Sequence, residues 1–171
     1  MIRIFNKTSI TATLFYLLGL SSFTAYGLPS DSEQEISIAS DKASLNNLQG
    51  ELIYSGNVEL IQGTLIIQAD KVTLIRNENG MERLIANGTP ARYEQVLSSN
   101  EDKTHAFGET IIYNVLNDEL TLIKNAGLKK QGNVFEGEKI VYLIKEQRVK
   151  ADSTQQDRVR MVIQPKTDKE P

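Results

Sequence analysis

The sequence predicts an all-β protein made of short antiparallel strands, and three observations support this. From Glu35 onward, apolar residues recur at every second position, which is the period of a strand and not of a helix. Gly, Asn and Asp interrupt these runs about every 8–12 residues, the spacing of turns in a β-sandwich or barrel. No stretch of a dozen residues carries a 3.6-residue apolar stripe, so helices should be short and peripheral.

Residues 1–27 are expected to be a secretory signal peptide that is cleaved after Gly27. Arg3 and Lys7 precede an apolar stretch from Ile10 to Leu20, which is too short to span a bilayer comfortably. Small residues then stand at the −3 and −1 positions that a signal peptidase reads. The alternative is an uncleaved membrane anchor, which the shortness of the apolar stretch disfavours.

Residues 28–164 are expected to form one domain, followed by a flexible tail at 165–171. Removing 27 of the 171 residues leaves 144, enough for a single core. The mature chain would carry 17 basic and 22 acidic residues, a formal charge of −5, which disfavours a nucleic-acid partner. The chain contains no cysteine, so disulfide scaffolds and thiolate metal sites are excluded.

Alternating apolar residues mark the expected strands in order along this domain. These are Ile36/Ile38, Leu52/Tyr54, Val58/Leu60, Leu65/Ile67, Val72/Leu74, Ala91/Tyr93, Ile111/Tyr113/Val115, Leu120/Leu122, Ala126/Leu128, Ile140/Tyr142 and Val159/Met161/Ile163. Turns are expected between them, because Asn, Asp and Gly tolerate left-handed backbone. The turns are Asn46-Asn47, Gly56-Asn57, Gln62-Gly63, Asn79-Gly80, Asn117-Asp118 and Gln131-Gly132. Longer exposed loops are expected at 76–81 and 98–103, and loose ends at 28–34 and 164–171.

A weak internal repeat appears when the sequence is shifted by 68 residues. Seven identities support it: Asn46, Leu48, Glu51, Leu52, Asn57, Leu60 and Lys71 fall on Asn114, Leu116, Glu119, Leu120, Asn125, Leu128 and Lys139. The apolar phase is preserved as well, since Val72/Leu74 falls on Ile140/Tyr142. Two related sheet-building units stacked on each other would give this pattern, although chance similarity of strand-rich segments is an alternative.

The residues that catalysis or metal binding would need are scarce. His105 is the single histidine, and it lies in a polar stretch where a surface role is expected. The acids Asp41, Asp70, Glu109 and Glu138 are each expected to open a strand as turn-capping or solvated residues. A glycosidase would also need an aromatic sugar platform, and the chain has no Trp. The sequence therefore predicts a protein that is not an enzyme and holds no metal or cofactor.

The abundance of strand-forming aliphatic residues leaves two interpretations open. All of them could fill a closed core, or the sheets could stay partly open around an apolar groove that takes acyl chains. Periodicity does not separate the two. The basic pair Lys129-Lys130 is similarly open, since it fits a solvated face or a contact with an anionic headgroup.

Several segments form a distinctive pattern when they are taken in order along the chain: Asp41, Tyr54–Val58, Gln62–Thr64 leading to Ala69–Val72, Gly88–Ala91 and above all Gly137–Gln147. Through these segments the chain resembles the OstA-like (LptA-type) family of periplasmic lipopolysaccharide-transport proteins. The resemblance covers essentially the whole chain. An N-terminal anchor would be expected of an LptC-like member and a long barrel of an LptD-like member, so the soluble bridge component fits best.

The resemblance implies a twisted open β-jellyroll with an apolar interior groove, in which acyl chains of lipid A are held while the protein carries lipopolysaccharide from the inner to the outer membrane. It implies an LptC-like inner-membrane partner, an LptD-like outer-membrane translocon and head-to-tail association of copies. The expected groove residues are Ile36, Ile38, Leu52, Tyr54, Val58, Leu60, Ile67, Val72, Leu74, Tyr93, Ile111, Tyr113, Val115, Leu120, Leu122, Leu128, Ile140 and Tyr142. The expected partner interface is Ile36 and Ile38 at one end and Val159, Met161 and Ile163 at the other.

Two other classes of function compete with this interpretation. A structural β-rich module would have a solid interior and bind only protein, without a lipid ligand. A secreted carbohydrate-active enzyme is the other rival, and the missing Trp and single His argue against it.

Overall fold

The computed structural model describes residues 31–78, 80–97, 103–154 and 158–165. A short 3₁₀ helix, Asp31–Glu33, precedes ten strands. The strands are β1 (Ile36–Ala39), β2 (Lys42–Asn46), β3 (Glu51–Gln62), β4 (Leu65–Asn77), β5 (Gly80–Val96), β6 (Lys103–Asn114), β7 (Glu119–Lys130), β8 (Asn133–Leu143), β9 (Arg148–Asp152) and β10 (Arg160–Val162). The predicted signal peptide, most of the predicted 98–103 loop and most of the tail lie outside the described residues.

All ten strands belong to one antiparallel sheet, which confirms the all-β prediction. The order is β1-β3-β4-β5-β6-β7-β8-β10, with β2 also paired to β3 and β9 also paired to β8. In the described chain, β1 and β2 have a partner on one side only, and so do β9 and β10. The sheet therefore has two free edges and does not close into a barrel.

A line of bulges crosses the middle of the sheet. The pairing register shifts between Ser55 and Val58 of β3, and at the same level in every following pair from β4–β5 to β7–β8. Each bulge bends its strand and increases the local twist. Together they divide the sheet into a first wall, which holds the halves of the strands that contain Leu60 and Leu128, and a second wall, which holds the halves that contain Leu52 and Leu120.

The two walls fold over so that their inner faces meet. Tyr93 of β5 pairs with Ala106 of β6. Tyr113 lies seven residues beyond Ala106 in β6, a distance of about 23 Å along a straight strand. The rings of Tyr93 and Tyr113 are nevertheless only 6.4 Å apart, centroid to centroid, in an edge-to-face arrangement. Lys130 of the first wall likewise places its Nζ 4.9 Å from the ring centroid of Tyr142 in the second wall. The sheet is thus a V whose apex is the line of bulges.

Inward-facing residues form ladders that run from strand to strand along the V. The ladder next to the apex consists of small residues: Val58, Ala69, Ala91, Gly108, Ala126 and Gly137. Above it, the first wall carries Ile38, Leu60, Ile67, Tyr93, Ala106, Leu128, Phe135 and Met161. The second wall carries Leu52, Leu74, Leu84, Tyr113, Leu120, Tyr142 and Val149. Small residues at the apex let the walls approach where the V is narrowest, and larger ones fill its wider part.

The 68-residue repeat is present in the structure. The pair Ile38–Leu60 of β1 and β3 recurs as Ala106–Leu128 of β6 and β7. Left-handed residues recur too: Gly50, Gly56, Asn57 and Gly63 correspond to Asp118, Lys124, Asn125 and Gln131. Even the side-chain bond at the bulge repeats, since Asn57 Nδ2 donates to Asp41 Oδ2 over 3.1 Å and Asn125 Nδ2 to Glu109 Oε1 over 3.0 Å. The chain is therefore built from two related units, which is the first of the two interpretations that the sequence left open.

The bulges also correct several expectations. Gly56-Asn57 is not a turn between two strands but a bulge inside β3, because its left-handed residues (φ 82° and 46°) bend the strand without reversing it. Asp70, Glu109 and Glu138 consequently lie inside strands and do not open them. For the same reason β3 to β8 are longer than the turn spacing suggested.

Two expected irregular segments are ordered as well. The predicted loop at 76–81 is a tight hairpin, because β4 continues to Asn77 and β5 begins at Gly80. The N-terminal end is not loose from Asp31 onward, since the Asp31 carboxylate accepts hydrogen bonds from Thr64 and Gln95.

Candidate functional site

The interior of the V is the part of the molecule that could hold a ligand. All eighteen residues that the sequence predicted to face inward either belong to the buried cluster or pack against it. The predicted phase of the strands is therefore confirmed. Contact of these residues with a ligand stays a prediction.

The middle of the interior is closely packed. Leu60, Ile67, Leu122 and Ile140 each expose 0% of their surface. A ligand that occupies this region has to part the two walls. The interior is thus apolar throughout its middle but not an open channel there.

The interior opens at the edge formed by β1 and β2. A cavity of about 530 Å³ lies between the two walls there. It is lined by Ile36, Ile38, Leu52, Tyr54, Leu74, Arg76, Gly80 and Met81. Five of these residues were predicted as groove residues, and they meet although they come from three different strands. This entrance cavity makes the apolar interior accessible from solvent at the edge formed by β1 and β2.

Several inward residues are absent from the set of groove residues predicted from the sequence. They are Leu65, Leu84, Ala86, Ala91, Ala106 and Ala126 in the buried cluster, with Met81 and Phe135 packed against it. Leu84 was not predicted because the next inward residue of β5 is the small Ala86, so no pair of large apolar residues marks this part of the strand. Phe135 could have been predicted to face inward from the 68-residue repeat, because its counterpart in the other unit is Ile67.

Polar side chains collect at the rim of the first wall, where the strands end. Gln62, Gln95 and Thr104 are buried there, with exposures of 5%, 7% and 1%. Asp31 reaches over this rim: its Oδ2 accepts from Gln95 Nε2 at 2.6 Å, and its Oδ1 accepts from Thr64 N at 2.7 Å. Gln95 in turn accepts a hydrogen bond from the Tyr93 hydroxyl. The rim is thus a hydrogen-bonded polar border above an apolar interior.

Two interior tyrosines are held in the neutral form. Burial raises the pKa of Tyr113 to about 12, and the nearby Asp118 carboxylate, which accepts from the Tyr113 hydroxyl at 3.3 Å, adds to the effect. Burial also raises the pKa of Tyr93 well above its usual value, with Tyr113 contributing. Both hydroxyls therefore stay protonated wherever the protein is folded at neutral pH.

Alkaline solution is expected to destabilise the fold through Tyr113. Its pKa is higher in the folded than in the unfolded chain, so its contribution is fully present below pH 10 and is lost as the pH rises to about 12. The loss amounts to roughly 2–3 kcal/mol. Denaturant titrations at both ends of this window should show a smaller alkaline loss for Tyr113→Phe than for the wild type. Equal losses in the two proteins would contradict the assignment.

The edge formed by β10 exposes apolar side chains. Val159, Met161 and Ile163 have exposures of 37%, 50% and 67%. Met161 pairs with Phe135 and continues the apolar ladder of the first wall to this free edge. The predicted interface residues thus lie at the two opposite edges of the sheet.

The described residues contain no cluster of metal-ligating side chains. No group of three His, Cys, Asp or Glu side chains in the described chain is placed to hold a metal ion. His105 is half-exposed, with its Nδ1 3.2 Å from Glu94 Oε1. Among the helices of the described segments, none has the length and apolar character to cross a membrane.

Comparison with known proteins places the chain in a family. Residues 37–148 match the family described as LptA/(LptD N-terminal domain) LPS transport protein. The chain is 41% identical over 155 residues to lipopolysaccharide export system protein LptH of Pseudomonas aeruginosa, covering 86% of this chain and 89% of that protein. It is 35% identical over 163 residues to LptA of Escherichia coli K12, covering 94% and 87% respectively.

A solved structure agrees with the sequence relatives. The crystal structure of Pseudomonas aeruginosa LptH, described as the LptA homologous periplasmic component of a lipopolysaccharide transport device, matches with a TM-score of 0.73 and 40% identity. The match covers 80% of this chain and all of that chain. The open jellyroll and the resemblance predicted from the sequence are both confirmed. This chain belongs to the LptA/LptD N-terminal domain family of lipopolysaccharide transport proteins.

Proposed function

We propose that this protein is a periplasmic carrier that binds lipopolysaccharide by its acyl chains and passes it from the inner towards the outer membrane. The observation that carries the proposal is the apolar ladder of the first wall, which has an apolar residue at every strand from Ile38 at one free edge to Met161 at the other. Acyl chains moved into such an interior gain about 25 cal/mol per Å² of apolar surface removed from water. The edge cavity beside Ile38 gives them a place to enter.

The proposal includes partners on both sides. β1 and β10 are free edges whose unpaired backbone groups can pair with another strand. An LptC-like protein at one end, an LptD-like protein at the other and further copies of this chain in between would continue the sheet and its apolar ladders. The names of the relatives and the description of LptH as a periplasmic component support a place for this chain in a lipopolysaccharide transport system.

Binding of fluorescent lipopolysaccharide to the mature protein tests the function. Saturable binding is expected, displaced by unlabelled lipopolysaccharide and not by its polysaccharide freed of acyl chains, because the interior offers apolar surface and few polar groups. Displacement by the free polysaccharide would show that sugars and not acyl chains are recognised. Absence of saturable binding would favour the alternative of a protein-binding module without a lipid ligand.

A further inference from the structure

The rim of the first wall carries a polar ladder directly above the apolar one. Gln62 lies opposite Leu65, and Gln95 lies opposite Thr104. Lys130 continues this level into β7, one step beyond the pair of His105 and Lys129. Four of five successive inward positions are therefore polar, whereas the next ladder, about 7 Å deeper, is entirely apolar.

Parts of this polar ladder are without a partner. Thr104 is 1% exposed, and its buried Oγ1 has no hydrogen-bond partner among the described residues. A buried hydroxyl in that state costs free energy until something bonds to it. Thr104 thus marks a place on the rim where an additional polar group would be stabilised.

Lys130 brings a positive charge to the same level of the ladder, on the strand next to Thr104. Its Nζ donates to the Tyr142 hydroxyl at 2.5 Å and lies over the Tyr142 ring. In the part of the chain that the structure describes, no carboxylate lies within ion-pair distance of Lys130, although five other lysine or arginine side chains pair with carboxylates there. The ammonium group is therefore held between the walls with its charge uncompensated.

The same ladder already binds an anionic group. Gln95 donates to the Asp31 carboxylate, which also accepts from the hydroxyl of Thr64 at 2.6 Å. Asp31, Gln62 and Gln95 line a cavity of about 320 Å³ together with Tyr113 and Val115. At its Gln95 end, where Thr104 lies opposite on the next strand, the rim thus combines hydrogen-bond donors with free volume beside the apolar interior.

We infer that this rim is the binding site for the phosphate of a phosphorylated lipid, with Lys130 as the charged donor and Thr104 and Gln95 as hydrogen-bonding neighbours. The inference rests on the proposed function, because it takes acyl chains to lie on the apolar ladders. A phosphate beside acyl chains then falls at the level of the polar ladder. A charge-assisted hydrogen bond from Lys130 to the phosphate is stronger than its present bond to a neutral hydroxyl.

Affinity for three probes tests the inference: lipid A with its phosphates, lipid A after enzymatic dephosphorylation, and inorganic phosphate. Lys130→Gln is expected to weaken binding of phosphorylated lipid A by at least about tenfold and to leave dephosphorylated lipid A unaffected. Lys129→Gln is the matched control, since Lys129 is adjacent but exposed on the outer face. It should leave the affinity for both lipids unchanged.

Thr104→Val provides a second variant that keeps the shape of the side chain. It is expected to raise the melting temperature, because it removes an unsatisfied hydroxyl. It is also expected to weaken the binding of phosphorylated lipid A several-fold. A purely structural role for the threonine would leave lipid affinity unchanged and would contradict the inference.

The remaining outcomes separate the inference from the proposed function. Equal affinity of Lys130→Gln and wild type for phosphorylated lipid A, or an equal loss for both lipids, would overturn the phosphate site while leaving the carrier function standing. If inorganic phosphate bound as tightly as phosphorylated lipid A, the site would recognise free phosphate and not the phosphate of a lipid, which would overturn the inference. Failure of the wild type to bind either lipid would overturn the carrier function itself.

Discussion

Replacing Ile38 by glutamate is expected to abolish most lipopolysaccharide binding while leaving the fold intact. Ile38 is half-buried at the edge, pairs with Leu60 and lines the entrance cavity. A carboxylate there still reaches water in the free protein, so the free energy of unfolding should change little. Bound acyl chains would exclude that water and leave the charge unsolvated, which costs about 2 kcal/mol or more and raises Kd more than tenfold.

Ser37→Glu is the matched control for this change. Ser37 is exposed and pairs with Ile61 on the outer face of the same strand. Titrations with fluorescent lipopolysaccharide and thermal melts of both variants give the comparison. Unfolding of Ile38→Glu would show that Ile38 belongs to a core that does not open, and normal binding by both variants would place the ligand elsewhere.

Replacing Met161 by lysine is expected to prevent head-to-tail association of the protein. Met161 ends the apolar ladder that Ile38 begins, so a second copy whose β1 paired with β10 would set its own Ile38 beside Met161. Such contacts do not close on themselves and therefore build rods. A lysine in this ladder would have to bury its charge at the junction, weakening association by about tenfold or more.

Val162→Lys is the control, because Val162 is similarly exposed (47%) but points to the opposite face of β10. Sedimentation velocity over a range of concentrations should show species larger than the monomer for the wild type and Val162→Lys, and mainly monomer for Met161→Lys. A wild type that stays monomeric throughout would count against the proposed rods. Equal association of all three would place the junction at another surface.

Much of the fold could be predicted from the sequence because the strand period and the internal repeat are visible along the chain itself. Leu120 and Leu122 alternate with Glu119 and Thr121, and that alternation places both leucines on one face. The identity of Asn57 and Asn125 at a 68-residue shift identified equivalent positions, and both turned out to donate to an acid across the bulge. These features needed no knowledge of which strands meet.

The V shape could not be predicted because its cause has no distinct sequence signal. Gly56-Asn57 has the composition of a turn, and Lys124, which occupies the equivalent left-handed position, has none of that character. The bulge in β4 changes which residues face inward, from odd-numbered positions before it to even-numbered positions after it. Leu65 and Val72 therefore face the same interior. The polar rim was hidden for a related reason, since Gln95 and Thr104 stand beside stretches that look like exposed loop.

The apolar character of the ladders also limits what this protein can contribute to movement of a ligand. An acyl chain that advances by one strand, about 4.8 Å, leaves one apolar side chain and meets another, as between Leu60 and Ile67. The interior therefore offers apolar contacts at every step, and its side chains, which differ in size from Ala106 to Tyr93, are not graded from one edge to the other. Such an interior supplies no direction, which must come from lipid loaded at one end and withdrawn at the other.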